Sequence, residues 1–437
     1  MSRVVALGLD GFPYSLLRRL VGEGRMPHMA ALLARGSIAE MESVYPTVSS
    51  VAWASVVTGK NPGKFGVFGF TEVDPQMQLR VPTSRDVRAR TLWEIASAAG
   101  RRVIGLGVPL TYPPRPVKGI LVSDFLAPRL EGAVHPATIL PRIRKHGYRI
   151  DIDAQRARQS PDFLCNDLHE ALAARQRTVL DFLENDPWDL LVCHVMETDR
   201  LHHFLWHAIE EEQSPHHAFV MDFYATVDTL VGEAAKRIDS DTVLMVMSDH
   251  GFCRCRHEVQ VNFYLRREGY LHLGDGAAQG FQAVGHQSRA FAQVPGRIYL
   301  HLRGRWQNGS VEPKSSLALR DEIIERFRRW RDPETGTPIC RKVLRKEDAF
   351  RGPYLATAPD IILDPTDGYD LKADFDASSL FTHGPISGMH THDDAFLYIS
   401  RGSIRCPHPA VYNVGGTILQ LLDLPVPADW DGQAVLG

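Results

Sequence analysis

The sequence has few of the features that mark secreted, membrane-spanning or nucleic-acid-binding proteins. Its 437 residues include only six cysteines, with no CxxC pair, so we expect reduced, mostly buried thiols. No apolar stretch approaches the ~20 residues that span a bilayer. The apolar run at residues 4–9 is too short for a signal-peptide core. These absences predict a cytoplasmic protein without a membrane segment.

Charge imbalance is also lacking. The formal net charge is -3, which gives no reason to expect a nucleic acid polymer or an anionic membrane as partner. There is no internal repeat or low-complexity tract, and no pattern indicates an oligomeric state. The length exceeds what one hydrophobic core usually organises, so we expect a large domain with an insertion, or two lobes.

Short apolar runs alternate with helical patterns along most of the chain. The runs lack strict alternation, as expected of strands covered on both faces, and they lie at residues 4–9, 103–108, 119–122, 190–194, 242–247 and 395–399. Candidate helices lie at residues 14–21, 27–34, 91–98, 168–184 and 219–236. This rhythm predicts an α/β fold with a doubly wound, mostly parallel sheet and helices on both faces. It weakens at residues 252–358, which we interpret as an inserted cap between core segments 1–251 and 359–437.

Acidic and histidine side chains follow several predicted strands. Asp10 ends the first strand, and the adjacent pair Asp249 and His250 ends the strand at residues 242–247. Ligands gather beyond the carboxyl ends of strands in open α/β sheets, and Asp and His suit Zn²⁺. Polar turns that cap the strands are the alternative interpretation of both segments.

A third strand end carries Asp199 and His203, which are four residues apart. On a helix they share one face and can bind one metal ion together; a surface pair or a hydrogen-bonded core histidine is the alternative. Later in the chain His390 and His392 compete as a further ligand, with His383 a weaker candidate, and a solvated polar loop would explain each of them equally simply.

Hydroxyl groups precede an apolar helical run at residues 47–59. They can cap the helix, or they can place Ser49 where a helix N-terminus attracts a phosphate. The segment Gly59 to Phe65 is one residue too short between its glycines for a P-loop and lacks the hydroxyl after lysine. No Gly-x-Ser-x-Gly surrounds Ser49, so a nucleophile elbow is not indicated.

In this order, the segments resemble the alkaline phosphatase superfamily, and within it the type I phosphodiesterase/nucleotide pyrophosphatase branch. The resemblance covers nearly the whole chain, from Asp10 to His390. It implies an alkaline phosphatase-like core and two divalent metal ions, expected to be Zn²⁺, with Mn²⁺ or Fe²⁺ as alternatives. It assigns one ion to Asp10, Asp249, His250 and the nucleophile Ser49, and the second to Asp199, His203 and His390.

The sequence departs from the better-known members in two places. They usually have a threonine nucleophile and, three residues later, an asparagine that binds phosphate, where this chain has Ser49 and Ala52. Lys60 and Asn61 are therefore candidate substrate-binding residues. The Cys/Ser-x-Pro-x-Arg element of sulfatases is missing after Ser49, which argues against sulfatase activity.

The resemblance thus implies a metal-dependent phosphoester hydrolase that acts on a small-molecule substrate. A phosphodiesterase or nucleotide pyrophosphatase with a phosphoseryl intermediate is the main expectation. A phosphomonoesterase acting on a small phosphorylated metabolite is the alternative. Two further hypotheses are more remote: a phosphoryl or phosphoalcohol transferase, and a non-catalytic binding protein with the same fold.

Overall fold

The computed structural model describes residues 2–274 and 279–437. The strands within them are β1 (Arg3–Leu9), β2 (Ser37–Met41), β3 (Glu72–Val73), β4 (Leu79–Arg80), β5 (Val103–Val108), β6 (Gly119–Ser123), β7 (Val134–His135), β8 (Leu190–Val195), β9 (Thr242–Met247), β10 (Gly251–Arg254), β11 (His257–Gln260), β12 (Ala290–Gln293), β13 (Arg297–Leu300), β14 (Cys340–Arg345), β15 (Ile361–Pro365), β16 (Tyr369–Lys372), β17 (Phe381–Thr382), β18 (Gly388–Thr391) and β19 (Ala395–Ile399). The α-helices are α1 (Tyr14–Gly22), α2 (Pro27–Leu33), α3 (Ser49–Thr58), α4 (Pro62–Phe65), α5 (Leu92–Ala98), α6 (Leu140–Lys145), α7 (Ala154–Ala157), α8 (Pro161–Asn185), α9 (Glu197–Glu210), α10 (His217–Lys236), α11 (Val261–Arg267), α12 (Ser316–Arg328), α13 (Lys346–Ala349) and α14 (Tyr412–Leu421).

The large sheet has eight strands in the order β2-β19-β9-β1-β8-β5-β6-β7. Its five central strands, β9 to β6, are parallel, and β19, β2 and β7 join antiparallel. Successive residues of β1 enter two different cores, since Val5 and Leu7 pack on one face and Val4 and Ala6 on the other. The predicted α/β sheet with both faces covered is confirmed.

Helix α3 is fixed to the sheet by close packing of Trp53 over Gly8. Every residue of α3 is buried, and Trp53 is fully so. A Cβ atom at Gly8 would lie 2.0 Å from Trp53 Cη2, so no larger residue fits there. Because Ser49 is the first residue of α3, this contact sets its position over the sheet.

A second structural region follows β9. It contains the four-stranded sheet β12-β13-β15-β14 and the three-stranded sheet β16-β11-β17, which share a core of their own. The predicted boundary at residue 358 does not match this arrangement, because β15 begins at Ile361 and pairs with both β13 and β14. The chain returns to the large sheet only with β19.

Two further features complete the fold. Helix α8 begins at Pro161, seven residues before the predicted start at 168, because Ser160 caps it by accepting a hydrogen bond from Phe163 N. Among the described residues, no helix has both the length and the apolar character that crossing a bilayer demands.

Replacing Trp53 by alanine should lower the free energy of unfolding by about 3–5 kcal/mol, because it leaves a cavity between sheet and helix. Denaturant titration measures this value. Leu317→Ala is the control, since the side chain of Leu317 is 62% exposed and its loss should change stability by less than about 0.5 kcal/mol. Equal stability of Trp53→Ala and the parent protein would contradict this packing role.

Candidate active site and metal centre

The candidate residues meet at the carboxyl edge of three neighbouring parallel strands. Asp10 directly follows β1, Asp249 and His250 follow β9, and α9 begins two residues after β8. Strands β9, β1 and β8 are adjacent in the sheet, so their ends lie side by side. Ser49 stands opposite them at the N-terminus of α3, and His390 enters from β18.

The first group surrounds the Ser49 hydroxyl. Ser49 Oγ donates to Asp10 Oδ1 at 3.1 Å and lies 3.3 Å from His250 Nε2. His250 Nε2 is also 3.4 Å from Asp10 Oδ1 and 3.5 Å from Asp249 Oδ2. All four side chains are almost completely buried.

The second group consists of Asp199, His203 and His390. Helix α9 places Asp199 and His203 one turn apart, with Asp199 Oδ2 3.3 Å from His203 Nε2. His390 Nε2 lies 3.1 Å from the same oxygen and 3.0 Å from His203 Nε2. Three ligand-type atoms therefore converge on one point.

The three histidines share one orientation. Each directs Nδ1 to a backbone carbonyl and Nε2 to the centre of the site. The contacts are His250 Nδ1 to Gly251 O (3.0 Å), His203 Nδ1 to Gly388 O (3.2 Å) and His390 Nδ1 to Thr47 O (3.1 Å). The proton on Nδ1 is then donated to the backbone carbonyl oxygen, which leaves the Nε2 lone pair free to bind a cation.

The site fits divalent metal ions. Asp199, His203 and His390 form one set of ligand atoms within 4.8 Å of one another, and Asp10, Asp199 and His250 form another. The Oδ2 atom of Asp249 is buried without a hydrogen-bond partner among the described residues. A buried carboxylate oxygen with no donor is costly unless a proton or a cation satisfies it.

The pKa values show how strongly these groups interact. Burial, and then the Asp10 carboxylate, raises the pKa of Asp249 to about 8, and burial raises that of Asp10 well above its usual value. Burial also acts to raise the pKa of Asp199, but His203 and His390 outweigh it and hold the pKa well below the usual value. Burial lowers the pKa of His250 to about 4, so its imidazole is neutral and able to bind a metal.

Comparison with known protein families shows to which family the chain belongs. The model of the family described as type I phosphodiesterase/nucleotide pyrophosphatase matches residues 4–391. The chain belongs to this family. The resemblance to this phosphodiesterase branch, inferred from the sequence, is thereby confirmed, and the protein is a phosphoester hydrolase.

Solved structures show the same fold at low sequence identity. Phosphonoacetate hydrolase from Sinorhizobium meliloti 1021 aligns with a TM-score of 0.65 and 17% identity over 96% of both chains. Murine ectonucleotide pyrophosphatase/phosphodiesterase 5 aligns at 0.57 and 15% over 100% of both. The alkaline phosphatase PafA aligns at 0.61 and 14%, over 99% of this chain and 98% of the other. No curated protein matches the chain in a sequence comparison.

Two neighbours of the candidate ligands were not singled out in the sequence analysis. His194 Nε2 lies 2.5 Å from Asp10 Oδ2, and its Nδ1 lies 2.7 Å from Gly107 O. Arg200 Nη1 donates to Asp199 Oδ1 at 3.1 Å, which leaves Oδ2 to the two histidines. The sequence did contain a signal for each of them. His194 is a histidine inside an otherwise apolar strand, and Arg200 directly follows a candidate ligand.

The structure also separates the late histidines. His390 belongs to the second group, whereas the ring of His392 stacks on Tyr45 at 3.9 Å and its Nδ1 lies 3.3 Å from Thr47 Oγ1. His383 lies in the other region, with its ring 6.2 Å from that of His257. Of the three, only His390 contacts the other candidate ligands.

Lys60 and Asn61 do not lie beside Ser49. They follow the far end of α3, whose ten residues span about 15 Å. Lys60 pairs with Asp429, and Asn61 Oδ1 caps α4 by accepting from Gly63 N at 3.0 Å. The expectation that they orient the phosphate therefore disagrees with the structure.

The raised pKa of Asp249 predicts a pH-dependent stability of the metal-free protein. Folding raises this pKa from 3.8 to about 8, so the folded state holds a proton that the unfolded state releases. The stability gained is present at low pH and is lost as pH rises toward 8. Denaturant titration of EDTA-treated protein at pH 5 and pH 8 measures this contribution as the difference between the parent and a variant without the carboxyl group, because the lowered pKa values of His194, His202 and His250 change stability in the opposite direction.

Asp249→Asn is the matched control, because asparagine cannot titrate. Between pH 5 and pH 8 the free energy of unfolding of the parent should fall, relative to that of Asp249→Asn, by on the order of 1 kcal/mol or more. Parallel stability profiles for the two proteins would contradict the raised pKa.

Proposed function

We propose that the protein is a metal-dependent phosphodiesterase that acts through a phosphoseryl intermediate on Ser49. The observation that carries the proposal is the position of Ser49 Oγ, 3.1 Å from Asp10 Oδ1 and 3.3 Å from His250 Nε2, at a helix N-terminus. The positive end of the α3 dipole favours an anionic phosphoryl group at that point.

Two divalent cations would be held by the two groups. Asp10, Asp249 and His250 would bind one beside Ser49, and Asp199, His203 and His390 the other. When bound, such ions lower the pKa of a coordinated hydroxyl or water and offset charge on the reacting oxygens. We propose Zn²⁺, which Asp and His ligands suit, with Mn²⁺ or Fe²⁺ as alternatives.

The chain's own residues then define two displacements. Asp10 Oδ1 orients the Ser49 hydroxyl, whose Oγ forms a bond to phosphorus while the ester P–O bond breaks and the alcohol leaves. A water then attacks the phosphoseryl group and restores the hydroxyl. Arg200 fixes one oxygen of Asp199, so the other stays directed at His203 and His390.

Related proteins show that this fold receives small phosphorus-containing anions. Phosphonoacetate hydrolase has been solved with phosphonoacetate, and an inactive variant of the murine phosphodiesterase with AMP. A phosphomonoesterase is the alternative function for this chain, because its structure is also similar to that of the alkaline phosphatase PafA. Relative rates on aryl phosphodiesters and aryl phosphomonoesters separate the two.

Replacing Ser49 by alanine should reduce turnover of an aryl phosphodiester roughly 10³-fold or more, because no oxygen remains to attack phosphorus. Ser50→Ala is the matched control, since that buried hydroxyl is adjacent but lies outside the two groups. Ser50→Ala should retain most of the activity. Rapid-quench experiments should trap a phosphorylated serine in the parent protein, and full activity of Ser49→Ala would refute the assignment.

Replacing His390 by alanine should remove about one equivalent of bound metal, because the second group loses one of its three ligands. His392→Ala should keep both equivalents, since its ring stacks on Tyr45 instead. Elemental analysis of the purified variants measures the difference. Loss of metal from His392→Ala alone would reverse the assignment.

A further inference from the structure

A cleft opens from the second group of ligands into the junction between the core and the inserted region. Its volume is about 190 Å³, and its lining includes His203 and His390. Core residues 45–48 and residues 362–372 of the insertion form much of its wall. Because the cleft begins beside the second group, the leaving alcohol of the proposed reaction would occupy it.

Much of the cleft wall is apolar. Phe70, Val294, Pro295, Ile362 and Leu371 contribute to it. Val294 is 42% exposed, which makes it one of the few large apolar side chains open to solvent among the described residues. Together with the rest of the apolar lining, this side chain offers a contact surface to an apolar part of a ligand.

The cationic side chains of the cleft are already paired. Arg341 Nε contacts Asp364 at 3.1 Å and Nη1 contacts Asp393 at 2.6 Å, and Lys372 Nζ lies 2.6 Å from Asp370. The lining therefore contains these two cationic side chains and three acidic ones, Asp364, Asp367 and Asp370. No net positive charge in this wall is available to a polyanionic leaving group.

The apolar wall is held in place by hydrogen bonds from the insertion. The buried guanidinium of Arg297 donates from Nε to Val294 O at 2.9 Å and from Nη2 to Thr71 O at 3.0 Å. Gln293 Nε2 also donates to Thr71 O at 3.0 Å. These bonds fix the two segments that carry Phe70 and Val294, so the cleft is preformed.

We propose that the physiological leaving group is an uncharged, partly apolar alcohol or phenol, and not pyrophosphate or another phosphate chain. This inference rests on the proposed function: in an in-line displacement by Ser49 Oγ, the leaving oxygen lies across phosphorus from the first group, on the side of Asp199, His203 and His390. A polyanion in this cleft would face an acidic, largely apolar wall and would lose its hydration without gaining a partner.

The test compares two substrates that release the same product, thymidine 5′-monophosphate. One is its 4-nitrophenyl ester and the other is thymidine 5′-triphosphate, which must release pyrophosphate. The zinc-loaded parent should favour the aryl ester by about tenfold or more in kcat/KM. The Ser49→Ala protein should bind the ester more tightly than the triphosphate by calorimetry.

Val294→Lys places a cation in the apolar wall at an exposed position. It should lower the ratio of kcat/KM for the aryl ester to kcat/KM for the triphosphate about tenfold. The ratio of the two binding affinities should fall by a similar factor. Leu317→Lys is the matched control, since Leu317 is also exposed but lies on α12 outside the cleft, and it should leave the preference unchanged.

Equal or better use of the triphosphate by the parent, or no change of preference in Val294→Lys, would overturn the inference. Failure of the proposed function gives a different result: the parent then hydrolyses neither substrate, or Ser49→Ala hydrolyses both as fast as the parent. Where the parent hydrolyses neither substrate, the calorimetric preference still decides the inference, because it requires no turnover. Where Ser49→Ala is as active as the parent, the ratio of the kcat/KM values for the two substrates decides it.

Discussion

Burial of three neighbouring carboxyl groups, reinforced by repulsion between their charges, is the constraint on which the site depends. The sheet order β9-β1-β8 brings Asp249, Asp10 and Asp199 to one edge, and each is at most 3% exposed. Three such carboxyl groups cannot all carry a negative charge side by side unless bound cations offset it. Without cations, some of them must be protonated. The raised pKa values of Asp10 and Asp249 indicate that protons offset this charge in the metal-free protein, and in the proposed reaction bound divalent ions would take the place of those protons.

The surrounding structure acts mainly to orient this cluster. Three backbone carbonyls fix the histidines with Nε2 inward, and Trp53 holds α3 so that Ser49 faces Asp10. The inserted region contributes the cleft beyond the second group. In the proposed reaction the core thus carries the reacting groups, and the junction with the insertion offers the contacts that would select the substrate.

Much of this arrangement could be predicted from the sequence. The strands were visible as apolar runs, and an acid or histidine at a strand end converges with its neighbours whenever the strands are parallel and adjacent. Residue types alone left the choice between His390 and His392 open, and only the family resemblance selected His390, because the choice depends on the pairing of β18 with β10 and on a stack with Tyr45. The boundary near residue 358 failed for the same reason, since β15 belongs with strands distant in sequence.

The contribution of the insertion to the cleft was harder to predict, because charge and aromaticity do not reveal burial. Trp306 donates to Leu300 O inside the second core, and Arg305 is paired with Asp360. Neither lines the cleft, whereas Val294 and Leu371, with no polar atom to draw attention, do. Lys60 was misplaced because the length of α3 separates it from Ser49.

Anomalous diffraction from crystals grown with Zn²⁺ tests the central claim most directly. The account predicts two zinc peaks, one within about 2.0–2.2 Å of ligand atoms from Asp10, Asp249 and His250, and one equally close to Asp199, His203 and His390. A single peak, or peaks bound elsewhere on the chain, would contradict a bimetallic centre around Ser49.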